Sequence, residues 1–370
     1  MRRRDFITTV GGGAAVAACT PQDQNDVVTT SDQERFSWKM VTTWPLNFPG
    51  LGTGANTLAR YLTELSGGRI EIRIYAAGEL VPALEVFDAV SSGAAELGHA
   101  GSFYWRGKSE ATQFFNAVPF GLNAHEMNAW LYYGGGMELW QEVYRPFGLE
   151  PFAAGNTGVQ MGGWFNRPID TMEDLQGLKM RIPGIGGEAL RLAGGTPVTL
   201  PGSELFTALQ TGAIDATEWV GPYNDLAFGL HQAARYYYYP GWHEPGSTME
   251  CMVNLQAFNS LPADLQAVVR VACQAANLDM ISEFNARNAN ALAQIAADET
   301  VEIRAFPEEV LAGMKILTLQ VIEGLTARDP LAARIWDSYR TFLEHSRAWQ
   351  QISEQAYLRT SSSSPFIPPR

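Results

Sequence analysis

Arg181 stands near the end of Leu175-Gln176-Gly177-Leu178-Lys179-Met180-Arg181-Ile182-Pro183-Gly184, where a short strand gives way to a Pro-Gly turn and a helix. An arginine at the carboxyl end of a strand points into the crevice where open α/β sheets hold ligands, and its planar fork matches a carboxylate through two parallel N–H bonds. A surface ion pair is the other use of such a residue. Glu218 lies between Gly212 and Tyr223 among Ala, Thr, Trp and Val, where an ionised carboxylate is costly unless paired or bound to a cation. With Glu244, in Pro240-Gly241-Trp242-His243-Glu244, and the amide oxygen of Gln160, it would make a hard-cation site, completed by backbone carbonyls and the bound solute. Solvated or salt-bridged glutamates are the alternative. The stretch Gly155 to Phe165 supplies glycines that let a backbone approach closely and two neutral amides, Asn156 and Gln160. It reads either as a ligand contact or as a β-hairpin with polar turn residues.

Other chemistries find little support. The five histidines, at 99, 125, 231, 243 and 345, form no HExxH or H-x-H pattern and have no Cys partner, which argues against a zinc site. No GxSxG elbow is present, and Gly184-Ile185-Gly186-Gly187 lacks both the third glycine of the dinucleotide fingerprint and the Lys-Ser/Thr of a P-loop. An exported hydrolase or lyase using Glu218 and His243 as acid and base is the rival enzymatic reading, without a recognisable nucleophile. Cys251 and Cys273 belong to no CxxC pair and read as buried free thiols, with a disulfide between them as the alternative.

The formal charge is −13, and removal of residues 1–18, with three Arg and one Asp, would make it −15. A chain this acidic is unsuited to nucleic acid or anionic lipid, so any anion it binds must meet a local positive site. At 370 residues, 46% hydrophobic and 18% charged, it is long enough for two globular domains of about 150 residues each.

Positioning elements follow from periodicity. Trp38 to Thr43 and Arg69 to Tyr75 read as strands flanking a helix at Ala55 to Leu65, an α/β signature. Leu84 to Val90 and His125 to Val143 read as helices, Leu149 to Ala154 and Val159 to Phe165 as extended, and Pro201 to Gln210 as a helix start. Tyr236 to Tyr239 is a strand rather than a binding box. After Pro262 helices dominate: one Ala-rich run from Asp264 to Ala297, long enough to brace two lobes or reach a neighbouring subunit, a strand at Val301 to Phe306, then two helices to about Tyr357. The ends differ in texture. Residues 1–18 read as an export signal, with Arg3-Arg4-Asp5-Phe6-Ile7 of twin-arginine type and Val16-Ala17-Ala18-Cys19 as a lipobox that would place a lipid on Cys19; a plain cleaved signal is the alternative. Residues 19–34 read as a flexible tether and 361–370 as a disordered tail.

Taken in order, these segments resemble the solute-binding subunits of tripartite ATP-independent periplasmic (TRAP) transporters, the DctP family, and within it the branch that binds 2-oxo acids and related monocarboxylates. The resemblance runs from about Phe36 to about Tyr357 and is carried by Ala77 to Pro82, Gly155 to Phe165, Leu178 to Pro183 and Thr217 to Tyr223. It implies an α/β, two-lobed periplasmic binding protein with a long inter-lobe helix and a helical C-terminus. Lobe I would comprise 35–155 plus about 250–300, lobe II 156–249 plus about 301–330, and 331–360 a C-terminal helix able to dimerise by exchange. It further implies that Arg181 pairs with the ligand carboxylate, that Asn156 hydrogen-bonds the ligand, and that Tyr104 walls the pocket. Gln160, Glu218, the Trp219 carbonyl and Glu244 would hold Na⁺ or Ca²⁺ bridging to the ligand. The implied function is capture of pyruvate, lactate or a similar acid for a membrane permease, without turnover; a dicarboxylate, sugar acid or aromatic acid, or a sensor role, are the alternatives. One departure stands out: His243 follows Trp242 where the branch often has a second aromatic.

Overall fold

A computed structural model describes residues 34–362. The export signal, Cys19, the tether up to Gln33 and the tail from Ser363 expected from the sequence lie outside the described residues.

Among the described residues, eleven strands form two sheets. They are β1 (Phe36–Thr42), β2 (Ile70–Tyr75), β3 (Leu97–Gly101), β4 (Leu149–Asn156), β5 (Gly163–Phe165), β6 (Lys179–Arg181), β7 (Thr196–Val198), β8 (Ala216–Thr217), β9 (Tyr236–Tyr239), β10 (Thr248–Asn254) and β11 (Glu302–Ala305). The first sheet has the order β2-β1-β3-β10-β4 and the second β11-β9-β5-β8-β6-β7. In the first, β1 is parallel to β2 and β3, while β10 runs antiparallel to both β3 and β4. In the second, β5 is antiparallel to β8 and β9, and the other pairings are parallel. Strands β3 and β4 are buried along their whole length, which explains their near-continuous small and apolar runs.

Strands β4 and β5 belong to different sheets, so Gly155 to Phe165 is not a hairpin but a crossing between them. The chain crosses back between β9 and β10. Both crossings run along one edge. The carboxyl ends of β1, β3 and β4 and the amino end of β10 share that edge of the first sheet, and the carboxyl ends of β6, β8 and β9 share the corresponding edge of the second.

The helix Ala263–Ala296, a rod about 50 Å long, buries Leu265, Val269, Ala272, Ala276, Met280 and Phe284 in a stripe at three- and four-residue spacing, and Ala291 and Ile295 beyond them. It packs on β4, on the helix Leu51–Leu65 and on the helix Pro222–Ala227. Glu283 ties the two sides together, its carboxylate accepting from Thr53 Oγ1 at 3.5 Å and from Tyr223 OH at 3.0 Å. Phe48 stacks on Phe228 at 4.1 Å, closing the same seam.

Two helices expected to be continuous are broken. The run from His125 to Val143 splits into Ala124–Tyr133 and Gly136–Tyr144, because Gly134 ends the first and Gly135 takes a φ of 84° that a helix cannot use. The C-terminal run splits into Pro330–Ile352 and Glu354–Ser362 at Ser353, whose backbone leaves the helical region. Asp329 caps the first of these from its side-chain oxygen, with Pro330 at the first helical position. Cys251 and Cys273 are buried and free.

Candidate functional site

Polar groups gather where the strand ends meet the crossings. Arg181 is the last residue of β6 and is 1% exposed; Glu218 directly follows β8 and is 0% exposed. Parallel pairing sets Arg181 opposite Thr217, and this register brings the two side chains together. Arg181 Nη1 donates to a Glu218 carboxylate oxygen and, at 3.3 Å, to the Glu218 carbonyl. Nε reaches the Leu200 carbonyl at 3.3 Å and Nη2 the Tyr104 hydroxyl at 3.1 Å. The guanidinium also lies over the Trp219 ring, 5.0 Å from its centroid. Burial works against the charge on Arg181, but Glu218, Tyr104 and Glu244 outweigh it and hold its pKa up. Burial likewise pushes the Tyr104 hydroxyl up to about 12, against the pull of Arg181. The surface-pair reading of Arg181 therefore fails: the pair is real and fully buried.

The other oxygen of Glu218 faces His243 Nε2 at 3.3 Å. Glu244 Oε2 accepts from Gln160 Nε2 at 2.8 Å and from Ser247 Oγ, and Gln160 Nε2 also donates to Thr157 Oγ1 at 3.1 Å. Burial first, then the Glu218 charge, push the Glu244 carboxyl up to about 7, while His243, Ser247 and Arg181 pull it down. Among the described residues, Gln160 Oε1 is a buried acceptor with no hydrogen-bond partner. One ligand atom each from Glu218, His243 and Glu244 lie within 4.8 Å of one another. Two carboxylates and an orphaned amide oxygen fit a hard cation, which would satisfy the orphan and relieve the crowding of acidic groups.

Part of this cluster faces a cavity of about 20 Å³, room for about one or two waters, while Glu218, His243 and Ser247 lie outside its lining. Tyr104, Gln160, Arg181, Trp219 and Glu244, all expected from the sequence, line it together with Thr157 and Val220. Trp44, Leu51, Phe103 and Met249 complete it from the side of the first sheet and were not anticipated. Their signal was positional: Trp44 and Phe103 lie just past the carboxyl ends of β1 and β3. Ser247 was also missed. Asn156 lies outside this lining; its amide donates to Thr248 Oγ1 at 3.2 Å and its oxygen accepts from Gly158 N at 2.9 Å, which fixes the start of the crossing. A larger groove of about 460 Å³, beside Arg106, Glu188 and Arg328, is walled by charges that satisfy one another, Arg106 with Glu188 at 2.6 Å and Arg328 with Glu110 at 2.9 Å.

Residues 40–328 match the family model of DctP, the bacterial extracellular solute-binding proteins, family 7. The chain is 41% identical, over 98% of its own length and 100% of the relative's, to a monocarboxylate 2-oxoacid-binding periplasmic protein of Nostoc sp.. It is similar to a TRAP periplasmic solute-binding protein of Pseudoalteromonas atlantica solved with bound sodium and pyruvate, at 45% identity and a TM-score of 0.86 over 88% of this chain and 99% of that one. A TRAP solute-binding protein of Bordetella bronchiseptica, a dimer with calcium and picolinate in one active site and the other apo, matches at 36% identity and a TM-score of 0.87 over 89% of this chain and 98% of that one. By its sequence, its two-sheet fold and its buried arginine site, the chain belongs to the bacterial extracellular solute-binding proteins, family 7.

Proposed function

We propose that this receptor captures a small 2-oxo or 2-hydroxy monocarboxylate together with Na⁺ or Ca²⁺ and hands it, chemically unchanged, to the membrane subunits of a TRAP transporter. The carrying observation is the buried Arg181 beside a partnerless Gln160 Oε1 and two buried glutamates. In this reading Arg181 anchors the carboxylate with Tyr104 beside it, and Gln160, Glu218, the Trp219 carbonyl and Glu244 hold the cation. Asn156 shapes the crossing that presents Gln160, its amide nitrogen donating to Thr248 Oγ1 and to the Gly246 carbonyl. The cavity has to widen to admit any acid, and an acid of a few carbons asks the least of it. Pyruvate and picolinate, held by the two relatives described above, share one feature: a second donor atom on the carbon next to the carboxylate.

The two lobes, 35–155 with about 250–300 and 156–249 with about 301–330, would close on the ligand about the two crossings. The C-terminal helices leave Trp349, Ile352 and Tyr357 exposed, which suits pairing with a second copy. Cys19 would carry a lipid that keeps the receptor near its permease. Calorimetry with pyruvate, lactate, 2-oxobutyrate and succinate, each with and without Na⁺ or Ca²⁺, tests the reading. Cation-dependent heat from the monocarboxylates is expected, and silence from all of them would sink it. The buried Glu218–His243 contact at 3.3 Å is the one feature that favours acid-base catalysis; ligand recovered unaltered after long incubation excludes that rival.

A further inference from the structure

Away from the strand ends, a cavity of about 200 Å³ lies between the loop Val118 to Gly121, the helix Glu308–Arg328 and the helix Pro330–Ile352. It is about ten times the size of the 20 Å³ cavity beside Arg181, with room for about ten or more waters. Phe120, Ile322, Trp336 and Leu343 give it apolar walls, and neighbours hold both rings in place. Phe120 stacks on Trp242 at 5.5 Å and gives its N–H to the Trp242 carbonyl at 2.8 Å, while Trp336 stacks on Phe114 at 6.1 Å and on Tyr339 at 5.8 Å. Phe120 also carries a φ of 59°, a strained backbone position for a bulky residue and one that clusters at ligand sites.

Three polar side chains interrupt these walls. Thr318 is 2% exposed and lines the cavity, and its hydroxyl is buried with no hydrogen-bond partner among the described residues. Thr326, on the same helix, turns its hydroxyl back to the Ile322 carbonyl at 2.9 Å, so the unpaired state of Thr318 is not a property of helical threonines. An unpaired buried hydroxyl is costly and calls for a partner that the described fold does not supply. Lys315, three residues earlier and on the same helix face, is exposed and pairs with no carboxylate among the described residues. Arg347 donates from Nε to Glu126 at 3.1 Å and from Nη2 to the Gly121 carbonyl at 2.6 Å, which leaves Nη1 uncommitted among the described residues. The lining thus holds two cations and no acid, in a chain with 39 Asp and Glu against 26 Lys and Arg.

We propose that this cavity is a second binding site, separate from the one at Arg181, for an aromatic monocarboxylate of about the size of benzoate. Its ring lies among Phe120, Ile322 and Trp336, its carboxylate meets Lys315 and Nη1 of Arg347, and one carboxylate oxygen accepts from the Thr318 hydroxyl. Charge admits the acid and the rigid rings select it, since an acid of two or three carbons leaves most of the cavity unfilled.

The test titrates benzoate, and its uncharged counterpart benzyl alcohol, calorimetrically into wild type, Lys315→Glu, Thr318→Val and Arg181→Met. Wild type is expected to bind benzoate at least about tenfold more tightly than benzyl alcohol, through charge-assisted bonds that the alcohol cannot make. Benzoate binding is expected to weaken at least about fivefold in Lys315→Glu and about two- to tenfold in Thr318→Val, and to stay within about threefold of wild type in Arg181→Met. Melts confirm that each variant is folded; where Arg181→Met is not, Arg181→Met/Glu218→Gln takes its place. A benzoate event that the Arg181 variant abolishes and Lys315→Glu leaves unchanged belongs to the other site and overturns the proposal. Equal affinity for benzoate and benzyl alcohol overturns it, as does silence toward benzoate. Sedimentation covers the remaining occupant: loss of a dimer in Lys315→Glu, with no benzoate binding in wild type, gives the cavity to a second copy of the chain and overturns the proposal.

Discussion

Arg181→Met removes the guanidinium while keeping an unbranched side chain that can fill much of the same space. Two effects follow. The ligand loses a forked, charge-assisted contact at about 1.5–3 kcal/mol per bond, so affinity should fall by about 10²- to 10⁴-fold. Glu218 also loses its buried partner, and breaking such a pair from one side costs about 3–5 kcal/mol. In a chain of this size that lowers the melting temperature by roughly 4–7 °C. Binding loss alone could then be mistaken for partial unfolding. The double variant Arg181→Met/Glu218→Gln separates the two effects, because it leaves no lone buried charge at this pair. Its stability is expected to return to within about 2 kcal/mol of wild type, while carboxylate affinity stays lost. Scanning calorimetry reads the first and titration calorimetry the second. Single-variant affinity within about threefold of wild type would refute the anchor role. A double variant no more stable than the single would refute the claim that an orphaned Glu218 causes the damage.

Glu250, buried on β10, accepts from Trp105 Nε1 and from Tyr144 OH at 2.6 Å, and burial pushes its carboxyl up from 4.5 to about 8 against those two bonds. The folded chain keeps a proton that the unfolded chain releases near pH 4.5, so this group erodes stability as pH rises from there to about 8. Glu250→Gln keeps a carbonyl for Trp105 and cannot ionise; melts at pH 4.5, 6 and 8 should show it gaining on wild type with each step, by about 3–5 kcal/mol at the last. An advantage that does not change with pH would contradict this. In Gly241→Ala the new Cβ would lie 2.4 Å from the Gln160 carbonyl oxygen, pushing the two crossings apart, so ligand affinity should drop at least about tenfold for a stability loss of about 1–3 kcal/mol. Titration beside a melt checks both. Cys19→Ser is expected to move the exported protein from the membrane pellet to the soluble fraction, and an unchanged distribution would argue for a plain cleaved signal.

Legibility in the sequence followed the range of the interactions involved. The strand ending at Arg181, the helix after it and the long helix after Pro262 are local features, with turn glycine, proline and a 3.6-residue stripe all present in the chain. Even the broken helix was marked, by Gly134 to Gly136. The crossing between β4 and β5 was not, because hairpin and crossing share the same turn residues. What separates them is that β10, nearly a hundred residues on, takes the place beside β4. Ser247 and Met249 entered the site by the same non-local pairing. The pairing of Arg181 with Glu218 depends on β6 lying beside β8, and no local pattern states which strand is the neighbour.

The sequence posed a charge problem that the buried pair resolves in an unexpected way. A chain of net charge −13 must accept an anion, and a free arginine at the surface would have supplied attraction at a distance. Arg181 supplies none, because Glu218 cancels its charge within hydrogen-bond contact and both are shielded from solvent. An approaching acid therefore gains little from the site's field before entry. Its gain comes from contacts made inside the buried site. Recognition that rests on such contacts can read the shape and donor atoms of an acid as well as its charge, and charge alone would not distinguish one small acid from the many others that carry a carboxylate.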